Sequence, residues 1–540
     1  MAKTSTSADT QDPNWGRVLI CGGTDWPKLG RKERGGKGEG NPDAPDLLEP
    51  HILRSLSNIK IASIHASCSG CHFILLDVDG AAWMFGRNAS SALGVSGEDV
   101  ISISEDTPRR VLPTDLGAEE GTRFVQAACG RSHSLLVGDN GQVWSAGANN
   151  LGQCGHPVAA QIPTFEAIEG PFLDGESERL HVIKAAVGIT FSIILTDDGK
   201  VFSFGSGEKG QLGNGRTGEH IITGNKTAFD IETEPVPVKG LDDKTIIDIA
   251  CGPQHSVALD SQGLVYVWGY NGYCRLGLGN QQDVLIPKVV PNFAGPNEIT
   301  MGAHIIAGPS NTVVLDKQQL YWMAGKWKNS GEGSSGSPYS SFRFIQDLMG
   351  CKISGGSCGG VTHFALTADD DGGVMTVAWG QNASYGELGL GPDEPKSATK
   401  PTSHQPLAGI EVISVAAGQH TTLFLAKPNA KFSDLPRHPL EVDAPELCIV
   451  CDKDNGDDDP ALECDKCDHP YHLGCLDPPL EAIPEGEWFC PKCVGELGAL
   501  SGHDSKSSGK KGTKSSPETK GGTKRKATSS TKEGALKRKK

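Results

Sequence analysis

The chain has 540 residues, a formal net charge of −16, 70 glycines, 16 cysteines and only 6 methionines, a length for several domains and a composition of turns and strands. It holds no run of about 18 apolar residues, and its start (MAKTSTSADTQDPN) lacks the apolar core of a signal peptide, so neither a membrane-spanning helix nor a membrane partner is expected. The expected setting is intracellular, with thiols reduced or metal-bound.

Residues 1–14 read as a disordered leader. Arg17 to Gly22 (RVLICG) is the second half of a repeat with no first half before it. The repeat itself is clearest from Phe124 to Gly152. It runs from a small apolar strand to Gly130, then His133 and a second strand, an Asn140-Gly141 hairpin turn, a returning strand to Gly147, and Leu151-Gly152. Positions equivalent to His133 are His72, Phe191, His255, Asn311, His363 and Thr421. The last repeat, Ile413 to Ala426, has a first half and nothing after it. A period of roughly 60 with several short strands per unit predicts a β-propeller, because such a unit cannot bury its own apolar face. Six complete units plus one shared between the two ends predict seven blades over residues 15–428.

The pattern AxCGxxHSLxLxxxGxVWxWGxNxxGQLG resembles the regulator-of-chromosome-condensation repeat. Trp26 to Glu33, Gln346-Asp347-Leu348 and Gly386 to Thr399 look like its mitotic, telophase-disc branch rather than the Ran-exchange branch. The resemblance implies a protein-interaction platform. It also raises guanine nucleotide exchange on a small GTPase of the Ran or Rac type, although no GTPase-contacting residue maps onto this sequence. No catalytic residue is assigned, since no Ser-His-Asp or paired-carboxylate constellation occurs.

Two motifs in this region are set aside. Cys68-Ser-Gly-Cys71-His72 matches a haem-attachment pattern, but His72 is a repeat position and no export signal precedes it. Gly213-Asn-Gly215-Arg-Thr-Gly218 matches a phosphate-loop pattern but leads into no helix, so it reads as a blade loop. A histidine recurring in blade after blade points to a structural hydrogen bond between strands rather than to chemistry.

Residues 429–445 read as a proline-bearing linker, with Phe432 and Leu435 available to pack back on the propeller. From Leu447 the ligand spacing is C-x2-C, x12, C-x2-C, x4, H-x2-C, x14, C-x2-C. Seven cysteines and one histidine in four close pairs suit two tetrahedral zinc sites. The stretch 446–496 resembles a PHD finger. A RING finger is the competitor, but it places histidine fourth among the ligands, and here Cys467 is fourth and His472 fifth. The resemblance implies an interleaved cross-brace. Cys448, Cys451, His472 and Cys475 hold one zinc; Cys464, Cys467, Cys490 and Cys493 hold the other.

Residues 446–496 carry 14 Asp plus Glu against 3 Lys, a surface that attracts a basic peptide. The PHD resemblance implies a histone H3 tail added as a strand beside Ala461, Leu462 and Glu463. It places Asp465 and Asp468 on the arginine at the peptide's second residue, and Pro484, Glu485 and Gly486 on its free amine. No aromatic cage is formed by Asp452 to Glu463, and the Asp457-Asp458-Asp459 run suits an unmodified lysine.

The tail, 497–540, reads as disordered. Residues 501–540 hold 13 Lys plus Arg against 3 Asp plus Glu, which leaves residues 1–500 at −26 and confines expected DNA contact to the tail. Lys524, Arg525 and Lys526, then Lys537, Arg538, Lys539 and Lys540, resemble a bipartite nuclear import signal. The expected whole is an all-β seven-bladed propeller, a two-zinc PHD finger and a basic tail, in a nuclear protein that is not an enzyme.

Overall fold

Each repeat becomes one sheet of four antiparallel strands, to which two of the blades add a fifth. In the reference unit the strands run outward from the propeller axis as Phe124–Cys129, His133–Gly138, Val143–Ala148 and Gln161–Ala167. The structure is a computed structural model that describes residues 14–30, 44–97, 100–172, 178–368, 373–456, 459–484 and 486–495. Among those residues seven blade sheets occur, one per predicted blade, five of them four-stranded and two five-stranded. Residues 1–13 and the stretch from residue 496, which takes in the residues expected to serve nuclear import and DNA contact, lie outside them. No helix among the described residues is long and apolar enough to cross a membrane.

The hairpin turns form where the sequence places them. Gly141 has φ +75°, and the Asn140 carboxamide accepts the Gln142 amide at 3.0 Å. The glycine that ends the third strand is also forced. Gly147 has φ +117°, and a Cβ there would lie 2.4 Å from the Cα of His133 on the facing strand. The central strands are buried along their whole length because each sheet is covered on both faces by neighbouring blades, so they read as continuous apolar runs rather than alternating ones. One inter-blade core joins Ile74, Leu76 and Met84 of one blade to Phe124, Leu136 and Trp144 of the next.

The recurring histidine is a tie between blades. The Nε2 atoms of His72, His133 and His255 lie 2.8, 3.0 and 3.1 Å from the hydroxyls of Ser134, Ser192 and Thr312, each in the following blade. Asn311 donates to His363 across the next junction, at 3.1 Å. His72 of the haem-like motif is thus spent on Ser134, and the glycines of the phosphate-loop motif lie between the strands Val201–Ser206 and Ile231–Pro237, as a blade loop.

These histidines carry a pH prediction. Burial pulls His72 and His363 down to about 4 and His133 to about 3. A histidine with a folded pKa below its unfolded value of about 6.5 binds protons more readily when unfolded. Its contribution is complete above that value and drains away as pH falls toward the folded pKa. At pH 5 each costs about 2 kcal/mol. The propeller melt should therefore fall steadily between pH 7 and pH 5, and His133→Gln should flatten that dependence. A melt unchanged down to pH 5 would contradict the assignment.

The closing blade is shared between the chain ends. Its sheet takes Val412–Ala417 and Thr421–Ala426 from one end and Arg17–Gly22 and Leu47–Leu53 from the other. Arg17–Gly22 lies in the middle, pairing Thr421–Ala426 from Arg17↔Ala426 to Gly22↔Thr421. Closure on itself joins the ends of the ring and leaves only the short outer edge of each blade. Residues 429–438 form a docked strap rather than a free spacer. Asn429 caps a single turn, Ala430–Ser433, Phe432 is fully buried, and Arg437–His438 pairs in parallel with Leu47–Leu53. His438 then meets Glu105 at 2.8 Å, and Glu105 also accepts the indole N–H of Trp26.

Candidate metal centres and the docked finger

The finger brings its eight candidate ligands into two interleaved tetrads. Cys448, Cys451, His472 and Cys475 form one; Cys464, Cys467, Cys490 and Cys493 form the other; within each, the ligand atoms lie within 4.8 Å of one another. Cys467 Sγ is 3.8 Å from Cys490 Sγ, and His472 Nδ1 is 3.3 and 3.9 Å from the sulfurs of Cys451 and Cys475. A tetrahedral zinc with bonds near 2.3 Å to sulfur needs sulfur separations of about 3.8 Å, so the donor sets fit. In the second tetrad a hydrogen bond from Cys493 outweighs burial and brings Cys464 down to about 4, while the same bond pushes Cys493 well up. Burial works against Cys448, but backbone N–H groups of His472, Cys451 and Val450 bring that thiol down to about 6. A zinc ion bound by these sulfurs would hold them as thiolates. The zinc would supply a cross-link between distant segments and no reaction chemistry.

The expected peptide edge forms as a short strand. Leu462–Glu463 pairs antiparallel with Pro470–Tyr471, through Leu462↔Tyr471 and Glu463↔Pro470. Leu462 faces inward, while Ala461 and Glu463 are exposed. The expected amine loop is described at Pro484, half-buried, and at Gly486, exposed with φ +87°. Glu485, Asp457 and Asp458 lie outside the described residues. Tyr471 and Trp488 stack edge to face at 5.7 Å inside the finger, which leaves them as core rather than cage.

The two aspartates stand on the surface that meets the propeller. Asp468 receives both guanidinium arms of Arg54, at 2.6 and 2.8 Å, and Asp465 receives Arg437 at 2.6 Å. The other Asp465 oxygen accepts the Trp488 amide at 2.6 Å. Alongside, Arg17 meets Glu487 at 3.0 Å and lies over the Phe489 ring at 5.4 Å. Asn58 donates to the Cys493 carbonyl at 2.9 Å and accepts from Lys466 at 3.0 Å. None of Arg17, Arg54, Asn58 and Arg437 was marked as functional by sequence reasoning. The one available signal was the location of Arg17 and Arg54 beside strands of the shared blade, where a charged side chain ending up buried needs a partner.

Fold and site together define a β-propeller carrying a finger with two interleaved zinc-ligand tetrads. The family model of the RCC1-like domain matches residues 17–425, and that of the PHD-finger matches residues 448–493. The chain belongs to the RCC1-like, or regulator-of-chromosome-condensation, family, with a PHD finger after the propeller. It is 31% identical to Protein RCC2 homolog of Xenopus laevis, over 76% of this chain and 78% of that one. Among solved structures, human WBSCR16 aligns with a TM-score of 0.59 at 25% identity, covering 76% of this chain and 99% of that one. Prp20p of Saccharomyces cerevisiae aligns at 0.58 and 20% identity, over 78% and 94%, a likeness of fold.

Proposed function

We propose that this protein is a nuclear, chromatin-associated reader of the histone H3 N-terminus, with the propeller as its protein-interaction platform. The observation that carries this is the pair Asp465 and Asp468 beside the open edge at Ala461 to Glu463. These carboxylates already grip guanidinium groups within the chain, one of them through two parallel bonds, so their spacing suits an arginine-bearing strand. An acidic finger draws in a basic peptide, and the basic tail supports nuclear import and contact with DNA.

Titration of the full-length chain with H3 N-terminal peptides tests the reading. The unmodified peptide should bind best. Acetylating its amine should remove a charged hydrogen bond to the Pro484 to Gly486 loop, a loss of about 1.5–3 kcal/mol, or roughly tenfold and more in affinity. Trimethylating the fourth residue, a lysine, should weaken binding as well, since no cage rewards the methyl groups. Tighter binding of the trimethylated peptide, or indifference to acetylation, would overturn it.

Membership of the RCC1-like family favours a second reading, in which the propeller exchanges nucleotide on a small GTPase of the Ran or Rac type. Exchange acts by distorting the GTPase surface and needs no catalytic side chain. Nucleotide release from such GTPases should then be as fast with residues 1–445, which keep the docked strap, as with the full chain. Activity lost on that truncation would contradict a propeller-borne site.

A further inference from the structure

The finger's aspartates are gripped from outside the finger. Arg54 follows the strand Leu47–Leu53 of the closing blade, and its side chain is 7% exposed. Its Nε is anchored on the Pro439 carbonyl at 2.8 Å, and both terminal nitrogens reach Asp468, each with a longer bond of 3.4 Å to the Lys466 or Leu440 carbonyl. The pairing is a planar fork on a carboxylate, the arrangement that lysine cannot reproduce. Asp465 and Asp468 differ in what else they do. Asp465 also fastens the Trp488 amide and so helps to build the finger. The Asp468 carboxylate makes its hydrogen bonds to Arg54. The strand edge at Ala461 and Glu463, by contrast, stays exposed.

We infer that Arg54 is an internal pseudo-ligand: it fills, from the propeller, the place on Asp468 that a peptide's arginine must take, and so holds the finger in a self-inhibited state. The inference rests on the histone-tail reading above and specifies how that site is regulated. A peptide strand can reach the open edge, but its arginine must exchange with Arg54. Each arginine satisfies the same carboxylate, so the exchange gains little, and the peptide's arginine contributes less to affinity than its contacts alone would give. The apparent affinity falls by the fraction of molecules in which Asp468 is free. Because Arg54 lies at the foot of the closing blade, peptide engagement at the finger loosens the finger–propeller contact. Any partner that loosens that contact raises peptide affinity by the same factor.

A two-by-two titration of the full-length chain tests this. Wild type and Arg54→Ala are each titrated with the unmodified H3 N-terminal peptide and with the same peptide carrying alanine at its second residue. Arg54→Ala should tighten the arginine peptide on the order of 10-fold, and should leave the alanine peptide within about twofold. Equal effects on both peptides, or no effect on either, with the wild type binding, overturn the pseudo-ligand while the reader stands. Failure of both chains to bind either peptide at millimolar concentration overturns the reader and the regulation with it. Arg54→Lys, which keeps the charge and loses the fork, should fall between the two chains and serves if Arg54→Ala does not fold. In the wild type, which needs no variant, the unmodified peptide should speed amide exchange over residues 53–58; unchanged exchange at saturation also overturns the proposal.

Discussion

Removing zinc is expected to unfold the finger and leave the propeller folded. The finger's own core is small: Cys464, Tyr471, Leu476, Cys490 and Cys493 are its buried members, with Leu480, Trp488 and Phe489 packed against them, and three of the five are ligands. So little apolar surface cannot offset the ordering of some fifty residues. Structural zinc typically contributes on the order of 10–16 kcal/mol, which exceeds any packing available here. Cys464→Ser should act like chelation, because this thiol is buried at the centre of its tetrad and also accepts the Cys490 amide. The propeller cores contain no finger residue, so its melt should persist. Metal analysis should return two zinc ions per chain. One ion or none, or a finger that keeps its exchange protection in chelator, would contradict the cross-brace.

Deleting residues 1–30 should weaken the entire ring. The deletion removes the middle strand of the closing blade, so Thr421–Ala426 and Leu47–Leu53 lose the partner between them. It also removes Val18, Leu19, Ile20, Trp26 and Leu29, each at most 3% exposed. At about 1.5–3 kcal/mol per large apolar side chain the loss is roughly 8–15 kcal/mol. For a domain of about 400 residues that lowers the melting temperature by roughly 10–18 °C. The transition should stay single, because opening one blade exposes edges on both sides. A truncated chain that melts at the wild-type temperature would show that the blade is not shared.

Much of this was legible in the amino-acid sequence, and for identifiable reasons. The blade number and the shared blade followed from the spacing of positions such as His133 and Thr421, because each central strand is buried on both faces and its apolar run survives in every copy. The zinc tetrads were legible because metal geometry tolerates few spacings. The outer strands were not read individually. Gln161–Ala167 and Ala398–Ser403 lie at the rim, mostly exposed, so their composition is barely constrained. The docking of the finger was invisible for a different reason. Arg17, Arg54 and Asn58 lie more than 400 residues before their finger partners, and nothing local marks which surface charges will meet. Asp465 and Asp468 were singled out through the PHD resemblance, and the geometry adds that guanidinium groups of this same chain hold them.

The central claim is that the H3 tail docks as a strand along Ala461 to Glu463, and site-resolved amide exchange of the full-length chain, with and without the unmodified H3 N-terminal peptide, tests it most directly. The account predicts new protection at residues 461–463, since a strand added to that edge takes up backbone groups now open to water. Saturating peptide that protects only propeller blades, or protects no amide in the finger, would contradict it.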